Sequence, residues 1–352
     1  KEMGNKGLPF VVSAASRASR AGASAVTVSG SLYIGKYTAK VPEDVQNLKE
    51  IDAISTLKTV LTFPAELKNV CETIDYLTFA LPNYMTVAYV STSVGIYFPD
   101  PETNSITLIG LDPSKPLTIE ADITGYSFDK KTTGGNVMKF DKAANLATMI
   151  GEVEVEMYAS ITSPSAVSQL SGKQMKSTFS MEKDITVVGG TGNFSPKIEL
   201  KTMGTTKDAE VPEFMQRGNA ILDLYNPLFK IHVLTDLPLA GTIQNGKLTA
   251  YVDGKPTKSV TVPPFKLTGK EYVEVWLCRN KAATVAESYV QVVEVPALSD
   301  ILESMPDYIE FSVTAAADPD VEATVELGHD YYIQPSYGAE IPLAFSEKAA
   351  ID

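Results

Sequence analysis

The sequence has few of the residues on which acid–base and metal chemistry most often depend. It contains two His, two Cys and one Trp among 352 residues. His232 lies between Ile231 and Val233 in an alternating run, which predicts a solvent-facing ring, and His329 follows Gly328 in a predicted turn. A Ser-His-Asp triad or a zinc site built on several His is therefore not expected, and we predict no catalytic residue and no cofactor.

Basic charge and long apolar runs are also scarce. The chain has 30 Lys and Arg against 43 Asp and Glu, which gives a net charge of −13. Binding to a phosphate backbone needs clustered basic residues, so nucleic acid is not an expected partner. No apolar run approaches the roughly 20 residues that a membrane-spanning helix requires, so no transmembrane segment is predicted.

The two cysteines lie in unrelated contexts. Cys278 follows Val273 and Trp276 in a predicted strand, where a small buried thiol is ordinary. A disulfide between Cys71 and Cys278 would join distant parts of the chain and is the less favoured alternative. Both cysteines are interpreted as packing residues.

Short runs in which apolar and polar residues alternate cover most of the chain. Period-two alternation predicts strands with one buried face, and examples are Val153, Val155 and Met157. Asn245-Gly246 and Asp253-Gly254 predict hairpin turns, because these residues tolerate positive φ. Predicted helices are few, namely 299–304, with Ser299 as N-cap, and one or two turns over 45–51. The pattern indicates an all-β fold of tandem immunoglobulin-like or Greek-key β-sandwich modules with one or two short helices.

The chain also resembles itself at a spacing of about 125 residues. Tyr126 and Tyr251 occupy similar segments 125 positions apart, and the segments that end at Pro101 and Pro227 lie 126 apart. Further pairs in the same order are Pro116 with Pro238 and Pro212 with Pro342. This repetition predicts one β-sandwich module over 91–217 and a second over 218–352, each with its own core. Residues 1–90 form an N-terminal β-rich unit whose relation to the modules stays open.

Several residues could carry binding chemistry, and each has a structural alternative. The Gly189–Gly192 run lacks the spacing of a nucleotide-binding loop and favours a β-turn. Two acidic clusters offer oxygen ligands for a cation such as Ca²⁺, although alternating acids are equally typical of solvated loops. The clusters are Asp100, Glu102 and Asn104, and Asp318, Asp320 and Glu322.

Tyrosines are numerous near the C-terminal end, where Tyr331, Tyr332 and Tyr337 crowd one stretch. Exposed aromatic rings can stack on sugars or anchor a partner protein, which makes these three the candidate ligand-binding residues. The alternative is that tyrosine is simply a good strand former. Paired carboxylates for glycoside hydrolysis cannot be chosen among 43 acidic residues, so no pair is nominated.

The tandem pattern resembles surface-exposed β-sandwich proteins of Bacteroidetes-type Gram-negative bacteria, which are described as cell-adhesion lipoproteins of unknown function. The resemblance spans about residues 91–352. It rests on Asn226-Pro227, Leu237-Pro238-Leu239, Pro306-Asp307-Tyr308 and Glu340-Ile341-Pro342-Leu343. It implies export, a lipid anchor and display at the extracellular or outer-membrane surface.

Composition, repetition and resemblance together lead to one functional expectation. We expect a non-enzymatic secreted or cell-surface protein with an adhesive or structural role, whose partner is a host or cell-surface protein or glycan. One alternative is a carbohydrate-binding surface protein that uses the tyrosines. A second alternative is a glycoside hydrolase that uses two carboxylates.

Overall fold

The computed structural model describes residues 2–3, 5–14, 24–198, 223–268, 272–303, 306–340 and 344. The described chain is nearly all β, with several antiparallel sheets, which confirms the predicted all-β sandwich fold. It divides into two compact units. Unit 1 comprises mainly residues 1–43 and 47–192, and unit 2 comprises mainly residues 193–324 and 329–352.

The first thirteen strands of the chain are accompanied by two short helices. The strands are β1 (Glu2–Met3), β2 (Asn5–Pro9), β3 (Val11–Ala14), β4 (Ser24–Lys40), β5 (Val45–Thr62), β6 (Ile74–Ala80), β7 (Met85–Thr92), β8 (Gly95–Tyr97), β9 (Ser105–Leu111), β10 (Leu117–Ser127), β11 (Val137–Asp141), β12 (Leu146–Ser160) and β13 (Gln174–Phe194). The helices are one α-helical turn, α1 (Leu67–Val70), and a 3-10 helix (Pro164–Leu170).

Unit 1 is a sandwich of two antiparallel sheets. One sheet has the order β1-β4-β12-β6-β9, with β11 beside β12 and β3 beside β4, and the other has the order β2-β13-β5-β10-β7-β8. Val153, Val155 and Met157 of β12 are all buried, as their alternation predicts. One hydrophobic core extends from Val26 to Phe179, so both sheets close over the same interior.

The second group of strands is shorter. These strands are β14 (Lys197–Ile198), β15 (Leu228–Thr235), β16 (Gly241–Val252), β17 (Lys255–Val262), β18 (Phe265–Leu267), β19 (Tyr272–Cys278), β20 (Gln291–Glu294), β21 (Tyr308–Ala317), β22 (Glu322–Glu326) and β23 (Ile333–Glu340). Two 3-10 helices, Lys281–Ala283 and Leu298–Ile301, complete this part of the chain.

Unit 2 also places two sheets around a separate core. One sheet has the order β14-β21-β16-β17, with β18 beside β16, and the other has the order β20-β19-β15-β23. Only β19 and β20 run parallel among the pairings described in this unit. Phe229, Ile231 and Val233 of β15 belong to this core, and the ring of Phe229 lies edge-on to that of Phe311 of β21.

The division into units does not follow the predicted module boundaries. Residue 90 lies within β7, and β7 pairs with β10, which follows it in the chain. The core of unit 1 therefore draws on both sides of the boundary predicted between 90 and 91. Residue 217 lies outside the described residues. The 125-residue repetition relates Tyr126 at the end of β10 to Tyr251 at the end of β16, and its meaning for the modules stays a prediction.

Several local predictions are wrong because sheet pairing prevails over local sequence preference. Residues 45–51 form the start of β5 and not a helix, since Ile51 pairs with Tyr126 of β10. Asn245-Gly246 is not a hairpin turn but a bulge inside β16, with a register shift between Gln244 and Lys247. Asp253-Gly254 is the predicted turn, with φ of 50° and 71°.

Two further predictions need correction. The Gly189–Gly192 run is part of β13 and not a turn. A Cβ atom at Gly190 would lie 2.7 Å from the backbone oxygen of Glu50, so this close approach of two strands requires glycine. The helix predicted over 299–304 is the 3-10 turn Leu298–Ile301, capped by Ala297 and not by Ser299, and Ser304 lies outside the described residues.

Candidate functional site

The outer face of the β15–β19 pair in unit 2 carries five polar and aromatic residues. We call them the outer-face cluster: Lys230, His232, Tyr272, Glu274 and Trp276. The antiparallel register sets Lys230 opposite Trp276 and His232 opposite Glu274. Since alternate residues of these strands enter the core, the cluster residues project from the other side of the sheet.

Glu274 is the centre of the cluster and is only 8% exposed. Trp276 Nε1 donates to its Oε1 at 2.6 Å, and the Tyr272 hydroxyl donates to its Oε2 at 3.0 Å. His232 Nδ1 lies 2.7 Å from the Tyr272 oxygen. Because the hydroxyl gives its one proton to Glu274, His232 Nδ1 donates to Tyr272. The result is a continuous hydrogen-bonded chain from His232 to Trp276.

These contacts set the charge of Glu274. Desolvation by burial acts to raise the pKa of its carboxyl group, but hydrogen bonds from Trp276 and Tyr272, with the nearby His232 and Lys230, lower the pKa overall. The pKa of Tyr272 is raised, first by burial and then by its bond to Glu274. Glu274 is therefore held as a carboxylate and accepts hydrogen bonds.

The aromatic residues of the cluster are partly open to solvent. Lys230 Nζ lies 4.2 Å from the centre of the Trp276 ring and 2.6 Å from Glu340 Oε2, so the ammonium group is held against one ring face. Tyr272 is 49% exposed, and the neighbouring Tyr289 is 68% exposed. An exposed group of rings beside fixed polar atoms can bury a ligand ring and orient its polar substituents.

The structure separates the three tyrosines predicted to bind a ligand. Tyr337 packs into the core of unit 2, with its ring 5.9 Å from that of Phe229, so it is not a surface platform. Tyr332 is 41% exposed, and its backbone N donates to Asp236 Oδ1 at 2.8 Å. The Tyr331 ring lies edge-on to that of His329 at 4.6 Å. Tyr337 falls on the inward face of β23, whereas Tyr331 and Tyr332 precede this strand.

His329 belongs to a small local cluster with Asp236. Its Nε2 lies 2.9 Å from Asp236 Oδ2, and this hydrogen bond lowers the pKa of the Asp236 carboxyl group. The predicted turn position of His329 agrees with the irregular chain at this point. The contact links the segment before β23 to the end of β15.

The first predicted cation cluster has a structural role. Asp100 Oδ1 accepts hydrogen bonds from the backbone N of Glu102 at 3.0 Å and of Thr103 at 2.9 Å. These bonds, led by those from Thr103, lower the pKa of Asp100. The Asn104 amide donates to the backbone oxygen of Met85 at 3.1 Å. The carboxylate and amide thus close a turn, which accounts for this spacing of polar residues.

The second predicted cation cluster lies at the start of β22. Asp318 Oδ1 accepts from the backbone N of Asp320 at 3.1 Å, and Asp318 Oδ2 lies 4.0 Å from Lys266 Nζ. Glu322 is exposed. Across the described parts of the chain, no group of three or more His, Cys, Asp or Glu residues is arranged to hold a metal ion.

Sequence reasoning missed the outer-face cluster, although a signal for it was present. In the segment from Tyr272 to Trp276, every second residue is aromatic or charged, while Val273 and Val275 between them are apolar. The same alternation places Lys230 and His232 on one face. The two segments lie about 40 residues apart, so only the pairing of β15 with β19 brings them together.

The buried cysteines agree with their predicted role as packing residues. Cys71 and Cys278 are both buried and free, and burial raises the pKa of Cys71 to about 11.

Among the described residues, no helix has the length and apolar character needed to cross a membrane. No protein-family model, curated protein or solved structure matches this chain.

Proposed function

We propose that the protein is a non-enzymatic, exported protein, displayed at a cell surface or outer membrane, with an adhesive or structural role. The observation that carries the proposal is the outer-face cluster, in which the exposed Tyr272 ring and the half-buried Trp276 ring lie beside fixed polar atoms on a sheet face. Such a combination is typical of sites where a partner is held by a few aromatic anchors. The partner is a cell-surface protein or glycan.

The state of the acidic groups favours binding over hydrolysis. A glycoside hydrolase needs one carboxylic acid whose raised pKa keeps it protonated for transfer to the leaving group. The carboxyl groups with shifted pKa values in the described chain are all shifted downward. They are Glu66, Asp100, Asp112, Asp236 and Glu274. These groups suit acceptance of hydrogen bonds and do not suit general-acid catalysis.

The glycan alternative has a specific observation in its favour. Sugars present one apolar ring face and a rim of hydroxyl groups, which match an exposed aromatic ring and nearby polar atoms. Tyr272 supplies an exposed ring and Trp276 a half-buried one, and the ammonium group of Lys230 lies beside the Trp276 ring. Glycan capture by the outer-face cluster is therefore the second candidate function.

A binding screen on immobilised surface proteins and glycans tests the contact surface. We expect the Tyr272→Ala, Trp276→Ala double variant to lose at least about tenfold in affinity for any ligand found, since aromatic anchors dominate such contacts. Tyr225→Ala is the matched control, because Tyr225 is 50% exposed in the same unit and lies outside the cluster. Equal binding by both variants would exclude the outer-face cluster as the contact surface.

Display at the surface needs a separate measurement. Antibody labelling and protease treatment of intact cells that produce the protein should reach it without permeabilisation. Protection from both reagents until the cells are lysed would contradict surface display. A substrate screen in which turnover is abolished by a single acid-to-amide change would contradict the non-enzymatic assignment.

A further inference from the structure

An apolar cavity of about 360 Å³, partly open to solvent, lies at one end of unit 1 and is lined by strands of both its sheets. Strands β4, β11 and β12 supply one wall, and strands β5, β10 and β13 supply the other. Its larger lining side chains include those of Tyr37, Ile51, Phe128, Met138, Met149 and Met181. This cavity is distinct from the outer-face cluster, which belongs to unit 2.

Small residues line the cavity near one end of the sandwich, where Ala39 is exposed and Ala147 is half-buried. Deeper in the core, Leu32 lies opposite Val153 on the paired strands β4 and β12. Toward the end of the same pair, Ala39 lies opposite Ala147. Both alanines belong to the same sheet, and stacked sheets are about 10 Å apart, so these short side chains leave space below the facing sheet. The space left between the sheets is therefore encoded by side-chain size at these positions.

The volume is that of a ligand site and not that of an ordinary packing defect. Protein interiors contain few voids larger than one water molecule. An apolar cavity of about 150 Å³ already admits benzene, and small-molecule pockets begin at about 300 Å³. Water in an apolar pocket finds few hydrogen-bond partners on its walls, so a ligand that replaces this water gains dispersion contacts with the lining.

The lining indicates what kind of molecule fits. Met138, Met149 and Met181 are flexible and polarisable, so they adapt to ligands of different shape. The Tyr126 hydroxyl is bonded to Ser55 Oγ at 2.8 Å. Asp184 contributes a carboxylate to the lining, and the chain carries a net charge of −13, so an anionic group is disfavoured.

We propose that the cavity between the sheets of unit 1 is a binding site for a neutral, largely apolar small molecule, of the size of a medium-chain alcohol or a two-ring aromatic compound. The proposal stands on geometry and lining chemistry in unit 1 and does not depend on the proposed surface role.

The test uses the full chain and the neutral fluorescent probe N-phenyl-1-naphthylamine, with decanol and decanoate as competitors. We expect saturable probe binding, displacement by decanol, and displacement by decanoate that is at least about tenfold weaker. Ala147→Phe should fill the cavity and weaken probe binding by about tenfold or more. Ala143→Phe is the matched control, because Ala143 is exposed in the turn between β11 and β12, and its binding should change less than about twofold.

A second measurement does not depend on whether the Ala147→Phe variant folds. A photoreactive decanol analogue should label the unmodified protein on peptides from β11, β12 or β13, with labelling suppressed by excess decanol. Absence of saturable binding, labelling confined to unit 2, or unchanged affinity in folded Ala147→Phe would each overturn the proposal. Equal displacement by decanoate and decanol would overturn the assignment of a neutral ligand.

Discussion

The apolar spaces described in the two units differ greatly in volume. Unit 1 leaves about 360 Å³ between its sheets, whereas the apolar gap beside Phe229 and Ile309 in unit 2 is about 20 Å³. The smaller gap has room for about one water molecule. In unit 2, the rings of Phe229, Phe311 and Tyr337 lie within about 6 Å of one another and fill the interior.

The difference extends to the outer surfaces of the sheets. The β15–β19 pair of unit 2 carries a buried carboxylate among aromatic residues on its outer face, centred on Glu274. In unit 1, the feature that suits a ligand is the partly open cavity at one end of the sandwich, which Ala39 and Ala147 line. The two sandwiches have the same general architecture, but their candidate sites arise differently. In unit 1 the cavity depends on small side chains, and in unit 2 the outer-face cluster depends on the alternation of residues along β15 and β19.

The largest expected loss of stability comes from removing an aromatic ring from the core of unit 2. Phe311→Ala should lower the free energy of unfolding by about 4 kcal/mol, because Phe311 is 2% exposed and packs against two other rings. Urea unfolding followed by the fluorescence of Trp276, which is the only Trp and lies in unit 2, measures it. Val285→Ala, at a position 93% exposed, should change the value by less than about 0.5 kcal/mol. A loss below about 1 kcal/mol at Phe311 would contradict the tight packing of this core.

Two matched substitutions on β12 test whether side chains in unit 1 are less tightly packed near the cavity than deep in the core. Met157 is fully buried deep in the core, and Met149 lies at the cavity wall. Met157→Ala should destabilise by about 4 kcal/mol and Met149→Ala by about 2 kcal/mol, since a side chain with a void beside it has fewer contacts to lose. Thermal unfolding and hydrogen exchange of β12 amides measure both. Equal losses would remove the distinction between the two ends of unit 1.

A smaller change in stability is expected when one buried tyrosine hydroxyl group is removed from each unit. The Tyr84 hydroxyl in unit 1 donates to the backbone oxygen of Ile150 at 3.0 Å, whereas that of Tyr337 has no hydrogen-bond partner among the described residues. Tyr84→Phe should therefore destabilise by about 1 kcal/mol, and Tyr337→Phe should leave stability unchanged or raise it. Chemical denaturation of both variants provides the comparison. Destabilisation by Tyr337→Phe would indicate that this hydroxyl has a hydrogen-bond partner and would contradict the expected difference.

The strands were largely predictable from the sequence, because alternation acts locally. Val153, Val155 and Met157 in unit 1 and Phe229, Ile231 and Val233 in unit 2 follow it. Local reasoning failed where pairing decided the outcome. Residues 45–51 have helical spacing but pair with β10, and Asn245-Gly246 has turn chemistry but forms a bulge.

The candidate sites were harder to predict than the strands. Glu274 and His232 lie about 40 residues apart in the chain, and Ala39 and Ala147 lie about 110 apart, so neither site forms a local motif. Tyr331, Tyr332 and Tyr337 form a local motif, but the alternation of β23 places Tyr337 inside. Sequence proximity therefore grouped three tyrosines of which one packs against the core, whereas strand register brings His232 beside Tyr272 and Glu274.

The smallest expected effect is a change at low pH that belongs to unit 2. The pKa of Glu274 lies below its ordinary value of 4.5. A carboxyl group with a lowered pKa in the folded state contributes stability above its unfolded pKa, and this contribution is lost as pH falls through the folded pKa. Protonation also weakens the charge-assisted bond from Trp276 Nε1, so Trp276 emission should shift at a midpoint below 4.5.

A fluorescence titration from pH 7 downward, made at a urea concentration too low to unfold the protein, measures this step. Glu274→Gln is the control, because glutamine keeps an acceptor oxygen near Trp276 but has no proton to gain. The variant should lack the low-pH shift while keeping folded emission at pH 7. A shift that persists in Glu274→Gln would assign the titration to another group, and a midpoint above 4.5 would mean that burial outweighs the hydrogen bonds around Glu274.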